Sequence, residues 1–416
     1  MDQSVSVWNR NFAVFIASQA ASFTGKALLR FALPLYLLLE TGSPALMGGM
    51  LAISTVPSIL FAPIAGVMVD HFRKNRLLAT VNVLTFLGVF LFLNVRAFVG
   101  VIPATAMVMI VFLTADSLTA LTSKTIVPAI IPPGTLVKAN SISFLAITIS
   151  LTLTPIFGGF FFARFGLVSI LIASMVLLLL AATLNVLTHV PFQAHETHQN
   201  VVATVVTDVL AGVRFASKEK PSVGGVIVRV NFLYCMTLFP LTTVTLPILV
   251  MNYFSLTEEV LGITKAVVSL GGIAGVMILN ALGRRATVRI IRPLLIVSSL
   301  ILVPLAAAFL WSSSDVLIYA IMIVVLFFTF AFSAMLVIIC RSHFGEKSPP
   351  QLIGQVMGLN SVFVLSGVAI GGYVYGLLFD RFIHTPGWIV LLLFVVSLFT
   401  AYFGEIELGE QDVNDI

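Results

Sequence analysis

The stretch GLVSILIASMVLLLLAATLNVLTH, Gly166 to His189, holds no charged side chain and outlasts the ~20 apolar residues that carry a helix across a bilayer's hydrocarbon core. Lipid offers the backbone no hydrogen-bond partner, so a run of this kind must satisfy its own N–H and C=O groups as a helix. Similar runs recur from one end of the chain to the other. Of the 416 residues 59% are hydrophobic and 9% charged, and mean hydropathy is +1.12. Soluble domains carry roughly 25% charged residues, so a water-soluble protein is excluded. The alternating pattern of a membrane β-barrel is missing, which leaves an all-α polytopic membrane protein.

Apolar runs set against polar breaks predict twelve transmembrane helices, near 11–39, 45–70, 77–96, 101–123, 138–163, 166–189, 223–251, 257–282, 289–311, 315–341, 351–380 and 386–404. The longest break contains VVTDVLAGVRFASKEK, which reads as an amphipathic surface helix. Three parts follow: a six-helix bundle over 1–190, a cytoplasmic linker over 191–222, and a second six-helix bundle with an acidic tail over 223–416. Lys and Arg concentrate in the loops of one side, with HFRKNR at 71–76 and RRATVRIIR at 284–292, while Arg96, Arg164 and Arg381 stand on the other. That bias places both termini in the cytoplasm of a cell-membrane protein. The N-terminus, MDQSVSVWNRNF, lacks the pattern of a cleaved signal, so the first span is expected to stay. Cys235 and Cys340 fall inside apolar runs and form neither a disulfide framework nor a metal cluster. His189, His195 and His198 have no acidic or thiol companion and read as a solvated segment.

The halves echo each other. AGVM at 65–68 returns at 274–277, and Gly158-Gly159 returns as Gly371-Gly372, at offsets of 209 and 213 residues. Parallel repeats of this kind are expected of a transporter that rocks two bundles about a central site.

GVMVDHFRKNR, SLTLTPIFGGFF, and the pair KTIVPAIIPPGTLVKANS and PPQLIGQVMGLNS together carry a resemblance to the major facilitator superfamily. GVMVDHFRKNR, Gly66 to Arg76, is similar to the family's G-x-x-x-D-R-x-x-R-R loop: Gly66 and Asp70 match, Arg73 and Arg76 supply cations, and His71 stands where arginine is usual. The resemblance implies a conformational latch in which Asp70 caps a neighbouring helix and holds cations. SLTLTPIFGGFF resembles the bend and packing motif of antiporter members through Pro155, Gly158 and Gly159, with Thr154, Ser150 and, further upstream, Ser141 in place of glycines. KTIVPAIIPPGTLVKANS and PPQLIGQVMGLNS look like the branch with macrolide efflux pumps and enterobactin exporters. The implied fold is two six-helix bundles, and the implied activity is efflux by antiport. One departure is Phe112, at the place in the fourth span where antiporter relatives usually carry arginine.

Ionisable groups in mid-membrane cost about 2.5–3.5 kcal/mol each on insertion scales and normally face a cavity or a partner. In the first span Gln19, Ser22, Lys26 and Arg30 stand at i, i+3, i+7 and i+11. At ~100° per residue they share an arc of roughly 80°, one polar stripe on an otherwise apolar helix. The resemblance makes the first span a cavity-lining helix and these residues the substrate-binding group; pairing with neighbouring helices is the other reading. Asp116, with Thr119 and Ser123, heads a weaker stripe on the fourth span. With that span ending near 123, Asp116 is expected roughly 9–10 Å from its inner end and below Lys26. It is the candidate for proton coupling, or for an inner gate with Arg229 or Arg341.

Net positive charge in the stripe favours an anionic, amphipathic cargo such as a siderophore, exported against protons. The alternatives are a multidrug or macrolide-type pump for lipophilic compounds, with antibiotic resistance as its consequence, and uptake or uniport of an organic anion. No nucleotide loop, metal cluster or nucleophile with its base is visible, so no enzyme, cofactor or nucleic-acid partner is expected. A monomer with small-molecule, proton and lipid partners is the expected form.

Overall fold

The computed structural model describes residues 9–131, 135–191, 223–283, 288–347 and 353–412. The 192–222 linker, with His195, His198 and the amphipathic segment, lies outside the described residues. All the regular structure described is helical. In order come α1 (Arg10–Thr41), α2 (Pro44–His71), α3 (Lys74–Val99), α4 (Val101–Ile130) and α5 (Leu136–Leu187). After the linker come α6 (Val223–Thr237), α7 (Glu258–Leu282), α8 (Ile291–Leu300), α9 (Leu302–Trp311), α10 (Asp315–Lys347), α11 (Ile353–Phe382) and α12 (Pro386–Asp412).

Among the described residues ten helices are long and apolar enough to cross a membrane, against the twelve expected. Two differences lie behind this. The fifth and sixth predicted spans are both present, as two helices that abut without a loop inside the stretch α5; they meet at Gly166, whose non-helical backbone, with φ of 72°, lies in the left-handed region that glycine enters without strain. The last span survives as a shorter apolar helix, Pro386–Tyr402. Large side chains such as Leu60, Phe98, Leu187 and Trp311 stand exposed on the helices, as suits a hydrocarbon surround rather than water.

The chain divides into two compact units, one of Met1–Thr41 with Ile53–Val201 and one of Gly42–Ala52 with Val202–Ile416. In the first, α1 lies along α5 because small residues let the backbones approach. A Cβ on Gly25 would sit 3.3 Å from both the Ser174 carbonyl oxygen and Leu177, and the Ser174 hydroxyl donates to the Gly25 carbonyl at 2.8 Å. Gly158 does the same for Phe31, with 3.1 Å to a would-be Cβ. Apolar clusters close the unit: Phe12, Phe15, Leu78, Ile126 and Val127 in one, and Ala65, Val69, Leu77, Val81, Ala115 and Leu118 in another. Asn11 clamps the end of α5, donating to the His189 carbonyl at 2.6 Å and accepting from its N–H at 2.7 Å.

In the second unit, glycine again decides which helices meet. A Cβ on Gly271 or Gly275 of α7 would fall 2.1 or 2.2 Å from the carbonyl oxygens of Phe327 and Ala331 on α10. Gly367 and Gly371 of α11 approach the Phe232 and Met236 carbonyls of α6 in the same way. Gly42–Ala52 belongs to this unit through Gly48, whose Cβ would meet the Gly372 carbonyl at 2.3 Å, and through Ser43, which donates to Asp380 at 2.9 Å. Past α6 the span continues as two π-helical stretches, Leu241–Thr245 and Leu249–Tyr253, with Pro240 just before the first and Pro247 between them. The Tyr375 hydroxyl donates to the Thr237 carbonyl where the α-helical pattern breaks.

Candidate functional site

The stripe on α1 meets the stripe on α4 rung by rung. Because the helices run antiparallel, residues ascending α1 pair with residues descending α4. Gln19 Nε2 donates to the Ser123 hydroxyl at 2.6 Å, Lys26 Nζ to the Thr119 hydroxyl, and Arg30 forms an ion pair with Asp116. Ser22 turns toward α3 and donates to Asn82 Oδ1 at 2.8 Å. The rungs differ in access. Gln19, Ser22 and Lys26 are almost wholly buried, Lys26 at 1% exposure, whereas the Arg30 side chain is 49% exposed and that of Asp116 19%.

Charge is unevenly met along this column. Two cations face one carboxylate, and the carboxylate's hydrogen bond goes to Arg30. Lys26 has a neutral partner whose own proton is committed, since the Thr119 hydroxyl donates to the Ala115 carbonyl at 2.9 Å. The Arg30 guanidinium also lies 5.8 Å from the centre of the Phe112 ring, a cation–π placement. Phe112 thus supports an arginine that arrives from α1.

Asp116 was expected below Lys26 along the membrane normal; the pairing puts it level with Arg30, on the other side of Lys26. The physical reason is helix length. The fourth span does not stop near Ser123 but continues to Ile130, so fourteen residues follow Asp116, which at ~1.5 Å each is about 21 Å of helix rather than ten. Arg229 lies in α6 and Arg341 in α10, and both side chains fall outside the described residues.

Gly66 and Asp70 sit in α2 with side chains likewise outside the described residues, while Arg73 and Arg76 at the start of α3 are exposed. Gly158 and Gly159 are buried on α5, and Pro155 is half-buried there. The Thr154 hydroxyl donates to the Ser150 carbonyl, next to the Leu151 carbonyl that the proline leaves without its usual helical partner. Among the described residues no group of three His, Cys, Asp or Glu is placed to hold a metal, and Cys235 and Cys340 are free thiols.

Sequence reasoning missed Asn82, an amide among apolar neighbours near the start of the third span, whose polarity was the available signal. It also missed the counterpart in the second unit. Asn231 and Tyr234 stand 212 residues after Gln19 and Ser22, within the spread of the repeat offsets. Asn231 donates to Asn360 at 3.0 Å and the Tyr234 hydroxyl to the Thr329 carbonyl at 3.3 Å. At the same offset Lys26 and Arg30 correspond to Leu238 and Thr242, so these two positions of the second unit carry no charge.

The family model described as Major Facilitator Superfamily matches residues 15–372, most of the chain. The chain belongs to the Major Facilitator Superfamily. Its fold is that of solved transporters of the superfamily. A variant of the nucleoside transporter NupG aligns with TM-score 0.75 at 14% identity, over 96% of this chain and all (100%) of that one. A bacterial homologue of the iron transporter ferroportin in its inward-facing state aligns with TM-score 0.71 at 15% identity, over 94% and 98%. A bacterial homologue of the lysosomal transporter Spinster gives 0.68 at 13%, over 95% and 96%. At such identities the likeness is one of fold. Among curated proteins none matches the sequence. As a member of the superfamily the protein is a multi-pass membrane transporter.

Proposed function

We propose that this superfamily member is a secondary active transporter that moves an amphipathic, anionic small molecule such as a siderophore across the cell membrane by alternating access, coupled to protons at Asp116. Gln19, Ser22, Lys26 and Arg30 form its cargo-binding group, and both termini are cytoplasmic. The observation that carries this reading is the charge balance of the α1–α4 column: two cations against one carboxylate, with the buried cation's one hydrogen bond among the described residues going to a hydroxyl. Such a column in hydrocarbon is expensive unless a negative group joins it for part of the cycle. The transporters of similar fold carry chemically diverse cargo by their names, nucleoside, iron and sugar among them, so the cargo argument rests on this chain's own residues.

Export follows from the branch that the loops resemble. The ion pair itself favours a second reading. Protonating Asp116 releases Arg30 from its carboxylate, and a freed guanidinium binds an anion better. Proton and anion then help each other bind, the linkage of symport, which suits uptake of an organic anion. Inverted vesicles loaded with radiolabelled anions, under pH gradients of either sign, separate the two. Antiport predicts that flux rises against the gradient and symport that it rises along it. Flux that ignores the gradient, or that persists in Asp116→Asn with its pH dependence intact, refutes coupling at Asp116.

A further inference from the structure

Two polar atoms beside the column have no partner among the described residues: Gln19 Oε1, an acceptor, and Asn82 Nδ2, a donor. Their side chains are 3% and 1% exposed, so bulk solvent does not reach them. A buried amide atom left unpaired costs about 1–3 kcal/mol, and native proteins rarely leave one so. The two belong together. Gln19 and Ser22 are neighbours on one face of α1, one turn apart at about 5–6 Å between Cβ atoms. Asn82 is fixed to that turn by its 2.8 Å bond from Ser22, while the other end of the Gln19 amide is fixed by Ser123 at 2.6 Å. One free acceptor and one free donor therefore border the same turn, held by different helices.

We propose that Gln19 and Asn82 bind one buried water between α1, α3 and α4, and that this water hydrates Lys26. Water has the chemistry the site asks for: it donates to Gln19 Oε1, accepts from Asn82 Nδ2, and keeps a further proton and lone pair. Buried waters characteristically make about three hydrogen bonds to such orphaned groups. Lys26 stands one turn above Ser22 on the same stripe and spends one of its three donors on Thr119. A water lodged a turn below supplies the ammonium with an acceptor that the protein withholds. Asn82 is then a positioning residue: through the water it keeps Lys26 hydrated and oriented toward an anion.

The water site stands on the two orphaned amide atoms; the role of hydrating Lys26 for cargo rests on the proposed function. A crystal structure grown in lipidic cubic phase tests the site without any cargo. Density within ~3 Å of both Gln19 Oε1 and Asn82 Nδ2 is expected, and a direct amide–amide bond with no density between them overturns the proposal. Thermal unfolding of the purified protein gives an independent check. Gln19→Leu and Asn82→Leu each lower Tm, and because each also breaks a bond of its own, to Ser123 or from Ser22, the double variant falls below either single but by less than the sum of the two; fully additive losses overturn a shared ligand. Proteoliposomes with a radiolabelled catecholate test the role. Asn82→Leu is expected to lose flux about as far as Lys26→Met, with no further loss in the double, and Asn82→Ser, which keeps a donor and room for water, to recover much of it. Wild-type flux in Asn82→Leu overturns the role even where the density is present. A wild type that moves no anion refutes the proposed function and leaves the crystallographic result to decide the site.

Discussion

Removing Asp116 should hurt more than removing its partner, because the carboxylate stands near two cations and Arg30 answers only to one. At ~3 Å the raw Coulomb attraction of an ion pair is about 1.4 kcal/mol in water and about 5.5 kcal/mol at an effective dielectric of 20. The Arg30 side chain is 49% exposed, and on the proposed water-filled pathway its pair belongs near the weaker end, where exposed pairs contribute about 0–1 kcal/mol. Arg30→Gln is therefore expected to cost about 1 kcal/mol, with Asp116 left to compensate Lys26, to which it is electrostatically coupled. Asp116→Asn leaves Lys26, at 1% exposure, facing Arg30 without a counter-charge. Stranding a buried charge costs about 3–5 kcal/mol in the full case; with one cation free to swing to solvent, about 2–3 kcal/mol is expected. At roughly 2–4 °C per kcal/mol for units of this size, Tm should fall by about 2–4 °C in Arg30→Gln and by about 4–12 °C in Asp116→Asn. Adding Lys26→Met to Asp116→Asn should restore part of the loss. Differential scanning fluorimetry in one detergent gives all four values. Equal losses in the two single variants, or no recovery on removing Lys26, refute the charge-balance reasoning.

Gly275→Ala places a Cβ 2.2 Å from the Ala331 carbonyl oxygen, so α7 and α10 must part and about 1–3 kcal/mol should be lost, read as a lowered Tm; an unchanged Tm sinks the close-approach argument. Gly158→Ala meets the edge of the Phe31 ring at 3.1 Å, a side chain able to shift, so its loss should be smaller than that of Gly275→Ala, and the reverse order in the same assay contradicts the geometry. Tyr375→Phe removes the donor that satisfies the Thr237 carbonyl at the break in α6 and should cost about 1–3 kcal/mol; hydrogen exchange over 237–245 should rise with it, and unchanged protection there rules out a pinning role for the hydroxyl.

Much of the candidate column was legible before any fold was known. Four polar residues on one arc of an apolar helix needed only helical periodicity, and three on α4 needed the same. Which residue met which was not legible, because pairing depends on the relative slide of two antiparallel helices. Seven residues misjudged at the end of α4 moved Asp116 by about 10 Å, enough to separate it on paper from the stripe it joins. Asn82 escaped notice since an amide amid apolar neighbours does not name its partner; it acquires meaning only through Ser22 and the unpaired end of Gln19.

Sequence by itself determined that the chain is helical and membrane-spanning, because lipid leaves an apolar backbone no other way to satisfy its hydrogen bonds. It also determined the repeat, the faces of the first and fourth spans, and the residue types that bear charge in the interior. Tertiary structure decided that the fifth and sixth spans abut at Gly166 without a loop, a glycine of positive φ breaking the helix between them. It decided that Lys26 is buried against a hydroxyl while Arg30 takes the carboxylate, since small residues such as Gly25 and Gly158 fix how closely α1 lies on α5. Charge placement is written in one dimension, but the partner that each charge meets depends on how closely the backbones pack.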